Sequence, residues 1–379
     1  MLKNLKQIGV IAIISLIPTL LVWLPFFLRL TEFWNIPLPA RGMETIVANY
    51  DGPLYLVVAK TFYNVEAIKT NYQFPLPTEY YAAHFPLFPA LIRLLAFIPI
   101  GFPYAMLLAT VVSSILCLYF FYKLTGSPWL TLVFAIFPAR WLIVRSIGSP
   151  EPLFVAAIIA SVYYFREKKY FMAGLWGALA QLTKSPGILL FVAYAGYIFI
   201  PKLKELATRK FIPWLKSLEL AAWPTLLIPI ALLGIFAIYK VRYNDFLAYF
   251  HSGDNIHLFF PPFQIFNYSA PWVGTFWIEE VIFIYLFGIL GLLRLAKEKE
   301  TLMAWVAGIF FASTIFVSHR DLLRYSLPLI PFLFVAFKDL MEKKEFKIAL
   351  AFIIIPIYLF SLAFISQNVM PISDWRPFL

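Results

Sequence analysis

The chain has 379 residues, 62% of them hydrophobic and 13% charged, with 31 Lys and Arg against 20 Asp and Glu for a formal net charge of +11. A soluble domain of this size does not carry so many apolar runs. The basic residues sit in short clusters between those runs and form no separate basic domain, which excludes nucleic acid as a partner and assigns the charge to membrane orientation. The single cysteine, Cys117, lies inside an apolar run and reads as core, so neither a disulfide framework nor a cysteine metal site can be drawn.

In chain order, Lys3 and Lys6 precede an apolar run over 8–30. It is too long for the core of a signal peptide and has no small-residue cleavage site, so it reads as a retained first transmembrane helix. A long outer segment over 31–103 contains Pro37, Pro39, Pro75 and Pro77 around a helical stretch from Pro53 to Asn64, whose start after Asp51-Gly52 suits a helix N-terminus. Apolar runs follow at 104–122, 128–147, 152–165, 170–184, 187–200, 220–240, 277–293, 301–318, 323–337 and 348–367, about eleven spans in all. With that count, Lys123, the cluster Arg166/Lys168/Lys169, the cluster Lys202/Lys204/Arg209/Lys210/Lys216, the cluster Arg294/Lys297/Lys299 and the cluster Lys338/Lys343/Lys344/Lys347 all fall on the side of Lys3 and Lys6, the cytoplasmic side. Counting His84 to Ile100 as a further span would break this parity, so that stretch is expected to be an interfacial or re-entrant helix. The expectation is an all-α polytopic membrane protein with one transmembrane domain over 1–379. Its large first extracytoplasmic loop, 31–103, carries interfacial helices, and a second outer loop spans 241–276.

The outer side gathers the chemistry. Asp51, in Asn49-Tyr50-Asp51-Gly52-Pro53, is a carboxylate beside the membrane, where desolvation makes it a better base; the same residue before a Gly-Pro helix start also suits a cap on free backbone N–H groups. Arg145, Lys184, Arg320 and Arg324 fall at outer helix ends against the positive-inside tendency, which points to a bound anion such as phosphate, or else to snorkelling toward headgroups. Glu151 either joins that site or pairs with Arg145. Tyr80, Tyr81 and His84-Phe85-Pro86-Leu87-Phe88-Pro89 read either as an interfacial aromatic belt or as the lining of a lipid or sugar groove. The four histidines, His84, His251, His257 and His319, all map outside, but none pairs at helical spacing, and there is no Asp-x-Asp, so no metal site and no cofactor is expected.

At these residues the chain resembles the GT-C superfamily of membrane glycosyltransferases, most nearly the mannosyltransferase branch of PIG-V type. The resemblance runs through nearly the whole chain: Tyr50-Asp51-Gly52 in the first loop, Phe85-Pro86-Leu87-Phe88-Pro89 with Arg93, Arg145-Ser146-Ile147-Gly148-Ser149-Pro150-Glu151, Leu182-Thr183-Lys184-Ser185-Pro186-Gly187, and late Arg324-Tyr325 followed by Pro328 and Pro331. It departs from the PIG-V pattern at Tyr50, where a Trp is usual, and at Lys184-Ser185-Pro186-Gly187, where Arg-x-Asn-Gly is usual. The resemblance implies an inverting transfer of mannose or a similar hexose from a polyprenyl-phosphate donor to a glycan, lipid or protein acceptor on the outer face. In that reading Asp51 is the general base, Arg324, Lys184, Arg145 and Arg320 hold the donor phosphate, and Tyr50, His84, Glu151, His319 and Tyr325 contact substrate.

Three other readings compete. A transporter or flippase for lipid-linked glycans would place polar residues near mid-membrane and often shows internal repeats, neither of which the sequence displays. An O-antigen polymerase or ligase usually carries its main loop late in the chain. A pure assembly protein would need no outer set of cations.

Overall fold

The computed structural model describes residues 2–72, 74–203, 211–253, 255–267, 269 and 277–379. These are almost entirely helical, the one strand pair being a short antiparallel contact between Glu32–Phe33 and Ile36–Pro37. Among the described residues, five helical stretches are long and apolar enough to cross a bilayer: Lys6–Phe27, Gly101–Thr125, Ser185–Lys202, Leu220–Tyr243 and Lys344–Gln367. The other predicted spans also form helix, most of them shorter or broken. Glu151–Arg166, Tyr170–Thr183 and Thr301–Thr314 are compact, and Trp277–Lys297 is long with two acids in its first turn.

Proline explains the breaks. The expected span over 128–147 divides into Pro128–Ile136 and Ala139–Val144, because Pro138 has no N–H to continue the ladder. The expected span over 323–337 divides likewise into Leu322–Ser326 and Ile330–Ala336, with Pro328 in the gap. Each break frees backbone and redirects side chains that a continuous helix would hold against its neighbours.

Small residues bring two helices together. A Cβ on Gly174 would sit 2.0 Å from the Pro224 carbonyl oxygen, and one on Gly177 would sit 2.5 Å from the Ile228 side chain. Tyr170–Thr183 therefore packs backbone-close against Leu220–Leu226 and Leu227–Tyr243, as small residues allow between helices in lipid. That contact fixes the helix end from which Lys184 projects.

The segment that follows the first helix folds inward. Gly52–Thr61 is buried along most of its length, and Leu87–Leu95 buries Phe88, Pro89 and Ile92 while Leu94 is exposed, the one-sided pattern expected of an interfacial helix. The chain's end clamps this loop: the Met370 N–H donates to the Ala48 carbonyl (2.8 Å), and Asn49 Nδ2 donates to the Ile365 carbonyl (2.7 Å). Tyr50 and Phe137 pack against both large apolar cores, one centred on Phe134, Trp141 and Phe165, the other on Leu56, Phe88 and Ile365. The charged cluster lies at that seam.

Candidate active site

Tyr50 adopts a left-handed backbone (φ 49°), which a bulky residue occupies only where its surroundings hold it. Here the side chain supplies the hold. Its hydroxyl donates to Asp321 Oδ2 (2.6 Å) and accepts from Arg140 Nη1 (3.1 Å), while the Arg324 guanidinium lies 4.3 Å above its ring. Burial is the main cause, with the neighbouring Asp321 carboxylate second, that keeps the Tyr50 hydroxyl protonated well beyond its ordinary range. Next in the chain, Gly52 is needed because a Cβ there would stand 2.5 Å from the Val47 carbonyl oxygen. The tight turn aims Asp51 inward. Its side chain makes no capping hydrogen bond, and its carboxylate faces Arg324 instead.

Arg324 is the centre of the cluster. Nη2 lies 3.4 Å from Asp51 Oδ2, and Nε donates to Glu151 Oε1 at 2.7 Å. Glu151, 2% exposed at the first position of its helix, also accepts from Lys184 Nζ (2.6 Å) and from the Ser149 hydroxyl. A second branch runs from Tyr50 to Asp321, which pairs with Arg140 at 3.0 Å; the Arg140 guanidinium in turn rests 3.8 Å above the Phe364 ring. Cations and carboxylates thus alternate through Lys184, Glu151, Arg324 and Asp51, with Asp321 and Arg140 on the branch, so that each buried charge has a partner.

Two cavities meet at this cluster. The larger, about 810 Å³, is bordered by Tyr50, Arg140, Glu280, His319, Arg320 and Phe364. The smaller, about 120 Å³, is bordered by Tyr55, His84, Glu151, Lys184 and Tyr249. Asp51, Asn255, Arg324 and Tyr325 line both. In the larger, His257 and His319 lie 4.4 Å apart between ring centres, and His319 Nδ1 accepts from the Asp321 N–H (3.0 Å). Burial, with His257 next, holds His319 down to about 4, so it is neutral at pH 7. In the smaller, burial likewise lowers His84. No group of three or more His, Cys, Asp or Glu side chains is arranged for a metal ion among the described residues.

The structure therefore brings together Tyr50, Asp51, His84, Glu151, Lys184, His319, Arg320, Arg324 and Tyr325. Arg145 is the exception. Its guanidinium donates to the Ser15 carbonyl and hydroxyl (2.6 Å each) and to the Ala135 carbonyl, is fully buried, and lines neither cavity. The reason is local: the break at Pro138 leaves carbonyls at the end of Pro128–Ile136 without helical N–H partners, and Arg145 satisfies one of them. The alternative pairing of Glu151 with Arg145 is not formed either, Glu151 being held by Lys184 and Arg324.

A crystal structure of ArnT from Cupriavidus metallidurans bound to undecaprenyl phosphate is similar over 88% of this chain, with a TM-score of 0.50 and 16% sequence identity. The chain shares that fold. It spans 62% of the length of the ArnT chain. No protein-family model matches the sequence, and no curated protein matches it. With its apolar helices, the shared fold makes this a multi-pass, all-helical membrane protein.

Sequence reasoning missed Arg140, Asp321 and Tyr55. Arg140 was legible, since it is an ionisable residue inside an apolar run read as a span, and such residues mark function by default. Asp321 stands in the chain between Arg320 and Arg324, both singled out above, and its own pairing with Arg140 joins segments far apart in the sequence. Nothing in the sequence separated Tyr55 from the other aromatic residues of the loop.

Proposed function

We propose that this protein is an integral membrane glycosyltransferase that moves a sugar, mannose or a similar hexose, from a polyprenyl-phosphate donor to an acceptor hydroxyl. The observation that carries the reading is the position of Asp51 where two cavities meet, with its carboxylate 3.4 Å from the Arg324 guanidinium. A base and an anion-binding cation thus face one point reached from two sides. The similarity to an ArnT structure bound to undecaprenyl phosphate supports a lipid-phosphate donor.

In this reaction the acceptor oxygen forms a bond to the anomeric carbon while the bond from that carbon to the phosphate oxygen breaks, its electron pair leaving with the phosphate. Asp51 takes the hydroxyl proton. Phosphate is a good leaving group, so one carboxylate suffices where glycoside hydrolysis needs two. Arg324, Lys184 and Arg320 stabilise the departing charge, Arg324 through a planar fork suited to phosphate oxygens. Arg320 is exposed on the large cavity and makes no ion pair among the described residues, so its charge is open to a ligand. Displacement of this kind inverts the anomeric configuration. The asymmetry of basic clusters supports an extracytoplasmic site and a cytoplasmic N-terminus. The acceptor class is a glycan, lipid or protein hydroxyl.

The test is to incubate purified protein with a panel of polyprenyl-phosphate sugars and follow sugar loss by mass spectrometry. Consumption of one donor, abolished by Asp51→Asn, is expected. Failure to consume any donor, or consumption untouched by the substitution, removes the reading.

A further inference from the structure

The two cavities differ in kind as well as in size. At about 810 Å³ the larger falls in the range of sites for extended ligands, on the order of 300–1,000 Å³. The smaller, at about 120 Å³, suits one compact polar group such as a single sugar ring. Its wall is aromatic and hydroxyl-bearing, the mixture that receives a sugar ring by stacking its C–H faces and binding its hydroxyls.

Three tyrosines line that wall; the hydroxyls of Tyr55 and Tyr325 make no hydrogen bond among the described residues, and Tyr55 is the more deeply buried of the two. The third, Tyr249, donates to the Ser185 hydroxyl (2.9 Å) and so is satisfied within the protein. Tyr55 is 4% exposed, lines the small cavity, and its hydroxyl has no hydrogen-bond partner among the described residues. A hydroxyl that opens onto a cavity without a protein partner is available to a ligand. Its place is set by the chain: Tyr55 lies one helical turn after Asp51, and its N–H donates to the Asp51 carbonyl (3.0 Å). His84, 3% exposed, packs edge-on against the Tyr55 ring at 4.8 Å and lines the same cavity. A neutral imidazole offers one donor and one acceptor, which suits a sugar hydroxyl.

We propose that the small cavity is the chamber for the donor's sugar ring, where the Tyr55 hydroxyl and the His84 imidazole each bind a sugar hydroxyl, leaving the large cavity to the acceptor. The assignment rests on the transfer reaction proposed above and names the residues that choose its sugar. A site built to hydrogen-bond a hydroxyl rejects the analogue that lacks it, because its own buried group is then left unpaired.

The experiment compares wild type, Tyr55→Phe and His84→Gln with undecaprenyl-phospho-mannose, undecaprenyl-phospho-glucose and their monodeoxy analogues. Wild type is expected to use at least one deoxy analogue of its preferred donor less efficiently in kcat/KM by on the order of 100-fold or more. Tyr55→Phe or His84→Gln is expected to shrink that ratio to about tenfold or less at the same sugar position. Equilibrium binding provides a readout independent of turnover: Tyr55→Phe should weaken the sugar-bearing lipid and leave bare undecaprenyl phosphate unchanged. Wild-type discrimination in both variants, or equal weakening of the two lipids, overturns the chamber while the transfer reaction stands. Absence of turnover on every donor by wild type removes the reaction itself, and the chamber with it.

Discussion

Asp51 and Arg324 are 273 positions apart in the chain and 3.4 Å apart in space, carboxylate oxygen to guanidinium nitrogen. Backbone pairing on both sides holds them there. The loop carrying Asp51 is tied to the C-terminal segment through Ala48 and Met370, and the segment leading to Arg324 is tied to the stretch around His257, whose carbonyl accepts from the Ser318 N–H (2.9 Å). Neither residue reaches the cavity junction by the geometry of its own helix alone. Both depend on tertiary anchors, so the site is sensitive to changes well away from it.

Asp51→Asn keeps the shape of the side chain and removes its capacity to take a proton. General-base catalysis contributes about 10²- to 10⁴-fold, so turnover is expected to fall by that factor. The partner carboxylate Glu151 still holds Arg324, and thermal melting should change little. Turnover by mass spectrometry and melting in the same detergent check both halves, and near-normal turnover in a folded variant sinks the assignment.

Arg324→Ala and Arg145→Ala should separate binding from folding. Loss of Arg324 removes charge-assisted hydrogen bonds worth about 1.5–3 kcal/mol, an expected 10- to 100-fold weakening of undecaprenyl phosphate measured at equilibrium. Loss of Arg145 leaves the Ala135 carbonyl without its side-chain donor in an apolar interior, so melting temperature should drop while lipid affinity of the surviving folded protein stays the same. Weaker lipid binding in folded Arg145→Ala would return that residue to the site.

Helix positions were legible in the sequence because long apolar runs have few other uses, and the aspartate and arginine of the site were legible because charge at a membrane edge is conspicuous. What hid was the path of the chain within those runs. Two predicted spans are broken at prolines, and the break at Pro138 sets the short helix Ala139–Val144 on a new course, along which Arg140 faces the large cavity and Arg145, five residues on and so on another face, turns into the core. Helical periodicity carries no information across such a break. The pairing of Glu151 with two distant cations was equally invisible, since it joins three segments through tertiary packing, and sequence proximity favoured Arg145.

Glu151→Gln tests the structural role of the buried carboxylate. It leaves Lys184 and Arg324 facing each other without the charge that reconciles them, and removing one member of a buried ion pair costs about 3–5 kcal/mol. Its melting temperature is expected to fall further than that of Asp51→Asn, whose carboxylate is 38% exposed. Equal melting of the two variants would show that Glu151 does not organise the cation pair.

His319 provides a pH test with a defined sign. Burial, and then His257, pushes its pKa down to about 4, whereas an unfolded histidine titrates near about 6.5. Between those values the unfolded chain binds a proton that the folded one refuses, so the stability due to His319 is complete above about pH 6.5 and is lost as pH falls toward 4. Protonation would also break a specific contact, because Nδ1 accepts the Asp321 N–H and cannot do so once it carries a proton. His319→Gln removes the titration. Its melting temperature in one detergent, measured from pH 7 down to 4.5, should fall less steeply than that of wild type; parallel slopes would mean that His319 is already protonated or too solvated to matter.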